Sequence, residues 1–183
     1  MQSCGSKLEE AYQEACSTKS DINEHCPLLR SIASQYEHLT EFGMRSGVST
    51  TAFLAASLEG KLKRVISYDI HTLTSTASRL SSLAPDIFKF IQASSLTTSI
   101  EETDVLFIDS NHRYNHLMKE LTLHHTQVKD TIILHDTVLF GKHGERGGPG
   151  LWQAVLDFVK YVPPWFIYEH HPNNCGLTIL KKL

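Results

Sequence analysis

Glu41-Phe42-Gly43-Met44-Arg45-Ser46-Gly47-Val48-Ser49-Thr50 joins a short apolar run at 38–42 to a stretch with helical spacing at 49–58. Strand, two-glycine turn and helix in that order predict the first βα unit of an open α/β sheet, with Ser49 or Thr50 as the helix N-cap. The glycines let the chain turn sharply and approach a ligand, and the helix start offers unpaired N–H groups. The spacing is G-x-x-x-G, more open than the G-x-G-x-x-G that grips a pyrophosphate. Glu41 before the turn repels phosphate and suits a cationic amino-acid group.

The rest of the chain repeats the alternation. Further strand-like runs lie at 64–68, 88–92, 105–108, 131–134, 165–169 and 177–180. Helical spacing recurs at 73–83, 114–124 and 150–161. Strands alternating with helices predict βαβ units and a mainly parallel sheet covered on both faces. The last two strands are separated by the polar run 171–175 and read as a hairpin. The expected fold is therefore α/β and Rossmann-like, a seven-stranded, mostly parallel sheet closed by an antiparallel C-terminal hairpin. Residues 1–37, with Leu8, Ala11, Tyr12 and Ala15 at helical spacing, predict a helical segment packed on that core. No linker divides the chain, so 1–183 is expected to be one domain.

Bulk composition narrows the function. The 183 residues carry a formal charge of −3, with 41% hydrophobic and 20% charged residues, an ordinary globular balance. No global basic field exists to attract nucleic acid or an anionic membrane, so neither is an expected partner; a homo-oligomer is left open. Cys4, Cys16, Cys26 and Cys175 show no C-x-x-C pair, and no apolar run is long enough to span a bilayer. Reduced thiols and a cytoplasmic location are expected. The eleven histidines do not read as a metal cluster as a set, and His124, His125, His170 and His171 are expected at the surface or at strand ends. The stretch 141–150 holds five glycines and leaves the fifth strand, as either a mobile lid or a connector.

Acidic residues mark the carboxyl ends of the strands, the edge where open α/β sheets bind ligands. The second strand ends at Asp69, about twenty positions past the glycine turn, where a carboxylate accepts from both ribose hydroxyls. The fourth ends at Asp109 with His112 close by, and the fifth at His135-Asp136. Two acidic strand ends beside one crevice look like a reaction centre.

Taken in register, E-x-G-x-x-x-G-x-S-T at 41–50, Y-D at 68–69, L-F-I-D-x-x-H-x-Y at 106–114, I-L-H-D-T at 133–137 and G-P-G-x-W at 148–152 resemble the class I S-adenosylmethionine-dependent methyltransferases. The nearest subgroup is that of cephalosporin hydroxylase-like proteins and macrolide-sugar O-methyltransferases. The resemblance implies that Glu41, Gly43, Ser46 and Gly47 hold the methionine part of the cofactor and Asp69 its ribose. Ala93 and Ser94 fall where the class contacts adenine, and Asp109 also reaches the cofactor. Metal-dependent members imply a divalent ion on Asp109, His135 and Asp136, with Asp109 and His112 as catalytic residues and His112 as general base. Its unperturbed pKa near neutrality fits that role.

His135 stands where an acid is expected; magnesium prefers oxygen ligands, whereas imidazole suits manganese, iron or zinc. The implied reaction is methylation of a hydroxyl on a small molecule. Tyr114, Phe140, Trp152 and Trp165 are candidate walls of an apolar acceptor pocket, with core packing the expected role of at least two of them. Two other readings share the βαβ pattern, an NAD-dependent oxidoreductase and a non-catalytic module that binds S-adenosylmethionine.

Overall fold

The computed structural model describes residues 4–183. Seven strands form one sheet: β1 (His38–Phe42), β2 (Arg64–Asp69), β3 (Phe88–Gln92), β4 (Thr103–Ile108), β5 (Val128–His135), β6 (Trp165–His171) and β7 (Leu177–Lys182). Their order is β3-β2-β1-β4-β5-β7-β6. The first five are parallel, and β7 lies antiparallel to both β5 and β6. Among the described residues six α-helices accompany the sheet: α1 (Cys4–Ser17), α2 (Cys26–Ala33), α3 (Val48–Ala56), α4 (Thr74–Leu83), α5 (Tyr114–His124) and α6 (Leu151–Tyr161).

Each inner strand is buried on both sides, which is why it reads as a continuous apolar run. The strand period of two divides its residues between two cores. Leu39, Val65, Val105 and Phe107 meet the buried residues of α1–α4 on one face. Ile66, Leu106, Ile108 and Ile132 meet Leu117, Leu121 and Phe158 of α5 and α6 on the other. Trp165 is 3% exposed in this second core, so it is a packing residue and not a pocket wall.

Helix α3 runs between the sheet and the N-terminal helices, and Ser49 through Ala56 are all buried. Its N-cap is Gly47, in the left-handed conformation, not Ser49 or Thr50 as the sequence suggests. Those two hydroxyls have another partner, described below. His124, expected at the surface, is 2% exposed and bonds the Ser95 carbonyl through Nε2 at 2.6 Å. Cys16, Cys26 and Cys175 are free thiols, whereas the Cys4 side chain lies outside the described residues. Among the described residues, no helix is long and apolar enough to cross a membrane.

Candidate active site

The ends of β1 and β4 touch at Gly43. Its φ is +91°, and a Cβ there would lie 1.9 Å from the Asp109 carbonyl oxygen, so only glycine lets the two strand ends meet. The Asp109 amide donates to the Phe42 carbonyl at 2.9 Å across the same junction. Beside it opens a cleft of about 300 Å³ whose walls include Gly43, Arg45, Asp69, Ala93, Ser94, Asp109 and His112. The Asp69 carboxylate accepts the Arg45 amide at 3.1 Å and the His71 amide at 2.9 Å, which fixes it at the cleft rim.

Three residues expected at the cofactor lie elsewhere. Glu41 shares the α3 face with Leu39, because residues two apart on a strand point the same way. It is 0% exposed, and its carboxylate accepts the hydroxyls of Ser49 at 2.5 Å, Thr50 at 2.6 Å and Ser67. Burial lifts its pKa to about 7, against the pull of those hydroxyls and with help from the charge of Asp109. Glu41 thus pins the glycine turn from below. Ser46 and Gly47 line a separate hollow beside Ala11, Glu14 and Thr18, and the Ser46 carbonyl accepts from Arg79 at 3.2 Å. The second half of the turn faces the N-terminal helix and α4, not the cleft.

Deeper in, four side chains converge. His112 Nε2 donates to Asp136 Oδ2 at 2.8 Å and stands 3.7 Å from Asp109 Oδ1. His135 Nδ1 lies 3.3 Å from Asp109 Oδ1 and 3.5 Å from Asp136 Oδ2. Burial opposes a charge on His112, but the two carboxylates prevail and raise its pKa to about 10. As drawn, His112 is an imidazolium near neutral pH. The expectation of a base with an unperturbed pKa is therefore corrected, because two carboxylates hold its proton. Asp109 is buried, yet His112 and His135 hold its pKa below the ordinary carboxylate range. Phe140 stacks on His112 at 4.4 Å with an interplanar angle of 2°, fixing the ring.

His135 Nε2 faces two backbone carbonyls, Asp21 at 3.0 Å and Asn174 at 3.2 Å. Carbonyls only accept, so Nε2 carries a proton; burial opposes a second one, but Asp109 and Asp136 beside Nδ1 raise the pKa of His135, and only when Nδ1 is deprotonated does its lone pair face the carboxylates. Both His135 Nδ1 and Asp136 Oδ1 are buried without a hydrogen-bond partner. Once Nδ1 gives up its proton, it and Asp136 Oδ1 beside the Asp109 carboxylate form the mixed nitrogen–oxygen donor set of a cation site, so a divalent ion of borderline softness fits here. The donor atoms of Asp109, His112 and Asp136 also lie within 4.8 Å of one another.

Sequence reading missed the outer wall. Asp21 holds His135 by its carbonyl and Arg45 by its carboxylate, at 2.6 and 2.7 Å. Asn174, in the β6–β7 turn, binds the Ser20 carbonyl and the Glu24 amide. No local signal marks Asp21, which is 114 residues from His135 in sequence. The 141–150 loop folds back on itself as a turn: Glu145 N–H donates to the His112 carbonyl at 2.9 Å, and Gly150 N–H to the Lys142 carbonyl at 3.2 Å.

The sheet order and the terminal antiparallel strand, together with the family match that follows, define a class I S-adenosylmethionine-dependent methyltransferase. Residues 40–137 match the family described as methyltransferase domain, and the chain belongs to that family. Its cofactor is accordingly S-adenosylmethionine, which decides against a dinucleotide oxidoreductase. No curated protein sequence matches it significantly.

Solved structures with the same fold include a Podospora anserina methyltransferase with S-adenosylhomocysteine bound, at 15% identity and TM-score 0.67, covering 100% of this chain and 89% of that one. A Bacillus cereus O-methyltransferase in complex with S-adenosylhomocysteine has 16% identity and TM-score 0.67, with 97% and 91% covered. The N-methyltransferase NodS of Bradyrhizobium japonicum, also with S-adenosylhomocysteine, has 10% identity and TM-score 0.66, with 99% of each covered.

Proposed function

We propose that the chain, acting as one domain over 1–183, transfers the methyl group of S-adenosylmethionine to a hydroxyl of a small molecule. One observation carries this reading: Gly43, Asp69, Ala93, Ser94, Asp109 and His112 line a single cleft. Asp69 accepts the ribose hydroxyls, Ala93 and Ser94 flank adenine, and the Gly43 backbone admits the methionine part. Glu41 acts through Ser49, Thr50 and Ser67 by holding the turn, without touching the cofactor.

In the reaction the acceptor oxygen bonds the methyl carbon and the carbon–sulfur bond breaks. Its electron pair returns to sulfur, leaving S-adenosylhomocysteine, and the hydroxyl proton must go to a base. The fitness of the Asp109, His135 and Asp136 donors supports a divalent ion held there. When bound, such an ion neutralises the carboxylates and lowers the pKa of an acceptor hydroxyl. His112 keeps its Nε2 proton while Asp109 and Asp136 face it as free anions. With Asp109 and Asp136 holding an ion, the His112 Nε2 proton would pass to solvent, and the neutral imidazole would accept the hydroxyl proton at Nε2.

Calorimetry with S-adenosylhomocysteine and with NAD tests the cofactor assignment, and only the former is expected to bind. Methyl transfer to a panel of phenols, sugars and amines, with and without chelator, tests the acceptor class. Turnover only on amines in that panel would replace the hydroxyl assignment.

A further inference from the structure

A second hollow, of about 450 Å³, adjoins the cofactor cleft, and Asn111 and His116 line both. Its other walls include Arg113, Lys119 and the tip of the glycine loop at 147–149. Two polar atoms of these walls are buried without a partner, Arg113 Nε and Asn111 Oδ1. A withdrawn guanidinium N–H without an acceptor is costly to leave unpaired. Among the described residues, no carboxylate lies within 4.0 Å of the charged groups of Arg113 or Lys119, while neighbouring acids are engaged: Glu120 with His116 at 3.3 Å and Asp157 with the Tyr114 hydroxyl at 2.9 Å. The hollow therefore holds two uncompensated cations, one with a buried donor.

The residue types in the wall suit an oxyanion. Guanidinium and ammonium groups together suit phosphate and carboxylate oxygens, the first as a fork and the second as a point charge. Arg113 is the N-cap of α5 and its side chain makes no capping bond. The first-turn N–H groups of Tyr114 and Asn115, both of them wall residues, add to the positive potential. S-adenosylmethionine itself has a single carboxylate, on the methionine part that the proposed reading admits at Gly43. The hollow lies past Asn111, on the α5 side, so its anion comes from another molecule.

We propose that this hollow binds an oxyanion group, phosphoryl or carboxylate, carried by the methyl acceptor. Assigning the anion to the acceptor rests on the methyltransferase reading, whereas the affinity of the hollow for an oxyanion does not. The hydroxyl to be methylated then belongs to an anionic small molecule, anchored by Arg113 and Lys119 while it reaches His112.

The test is a nuclear magnetic resonance titration of the full chain saturated with S-adenosylhomocysteine, following the Arg113 Nε–H signal. Inorganic phosphate and acetate are added separately, with sodium chloride at matched ionic strength as the control for screening. At least one oxyanion is expected to give a saturable shift that chloride does not, and which of the two binds more tightly distinguishes phosphoryl from carboxylate. Arg113→Gln and Lys119→Gln should each weaken binding by about tenfold, as for loss of one charge-assisted contact. For these variants the titration is followed on backbone amides of the hollow.

Lys119 is exposed, so its variant has no reason to misfold, and unchanged S-adenosylhomocysteine affinity checks both variants. The proposal is overturned if neither oxyanion gives a saturable shift, if chloride reproduces it, or if affinity survives both substitutions. Competition between phosphate and S-adenosylhomocysteine overturns it too, by placing the anion in the cofactor cleft. A chain that binds phosphate in the hollow but never S-adenosylhomocysteine removes the methyltransferase reading, and with it the acceptor assignment alone.

Discussion

Gly43→Ala should damage the protein well beyond the cost of its backbone angle, and Gly60→Ala supplies the internal control. Both glycines have φ of +91°, but a Cβ at Gly60 meets nothing within 4 Å, whereas at Gly43 it lies 1.9 Å from Asp109 O and 2.6 Å from Asp109 C. The left-handed angle alone costs an alanine about 1–2 kcal/mol, so Gly60→Ala should lose about that much. At Gly43 the obstacle is backbone, which cannot rotate aside, so the ends of β1 and β4 must part by about 1 Å, a displacement that by itself can cost a hundredfold in catalysis. Parting them also strains the Asp109 N–H to Phe42 carbonyl bond of 2.9 Å, worth about 1 kcal/mol.

Urea unfolding should therefore show Gly43→Ala less stable than wild type by about 3 kcal/mol, and less stable than Gly60→Ala by about 1–2 kcal/mol. Calorimetry should show S-adenosylhomocysteine affinity reduced by about tenfold or more, because Gly43 and Asp109 both line the cleft. Gly60→Ala should bind it normally. Equal destabilisation by the two substitutions, together with unchanged affinity in Gly43→Ala, would refute the junction as the device that sets the cleft.

Glu41 should make stability depend on pH. Its folded pKa of about 7 exceeds the ordinary 4.5, so the folded chain holds the proton more tightly. The Glu41 contribution to stability is then greatest below pH 4.5 and falls toward pH 7 by about 3 kcal/mol, so the wild-type curve should lose that much relative to Glu41→Gln in denaturant titrations across that range; parallel curves would mean the three hydroxyls already keep the carboxylate ionised. Asp69→Ala should weaken S-adenosylhomocysteine binding by about 1.5–3 kcal/mol through lost ribose contacts, measured calorimetrically. Activity should fall in chelator and return with manganese more readily than with magnesium, given an imidazole among the donors. Direct manganese titration should show affinity lowered by about tenfold or more in His135→Ala and little changed in His112→Ala. The reverse order would make His112 the ligand and leave the proton to another base.

Much of the fold was legible in local pattern. The expected runs 38–42, 88–92 and 114–124 coincide with β1, β3 and α5, because strands buried on both faces and helices buried on one leave distinct periods in the chain. The same holds for the acids at the strand ends, since the carboxyl edge of a parallel sheet is where its loops gather. Asp69, Asp109 and His112 could therefore be placed at one crevice by sequence alone.

What each of these groups does there depended on neighbours that sequence distance hides. Glu41 faces α3 because of its strand parity and because Ser67, on the adjacent strand, turns to the same side. Ser46 and Gly47 face α1 and α4 because the N-terminal helix packs over the turn. His112 holds its proton, while the carboxylates are free, because β4 and β5 are adjacent and bring Asp136 to 2.8 Å. The lone pair of His135 is aimed by the carbonyls of Asp21 and Asn174, which are far away along the chain and anonymous as residue types. Periodicity records whether a segment meets core or solvent; charge state, tautomer and ligand direction are set by which distant segments the sheet brings into contact, and only the tertiary structure decides that.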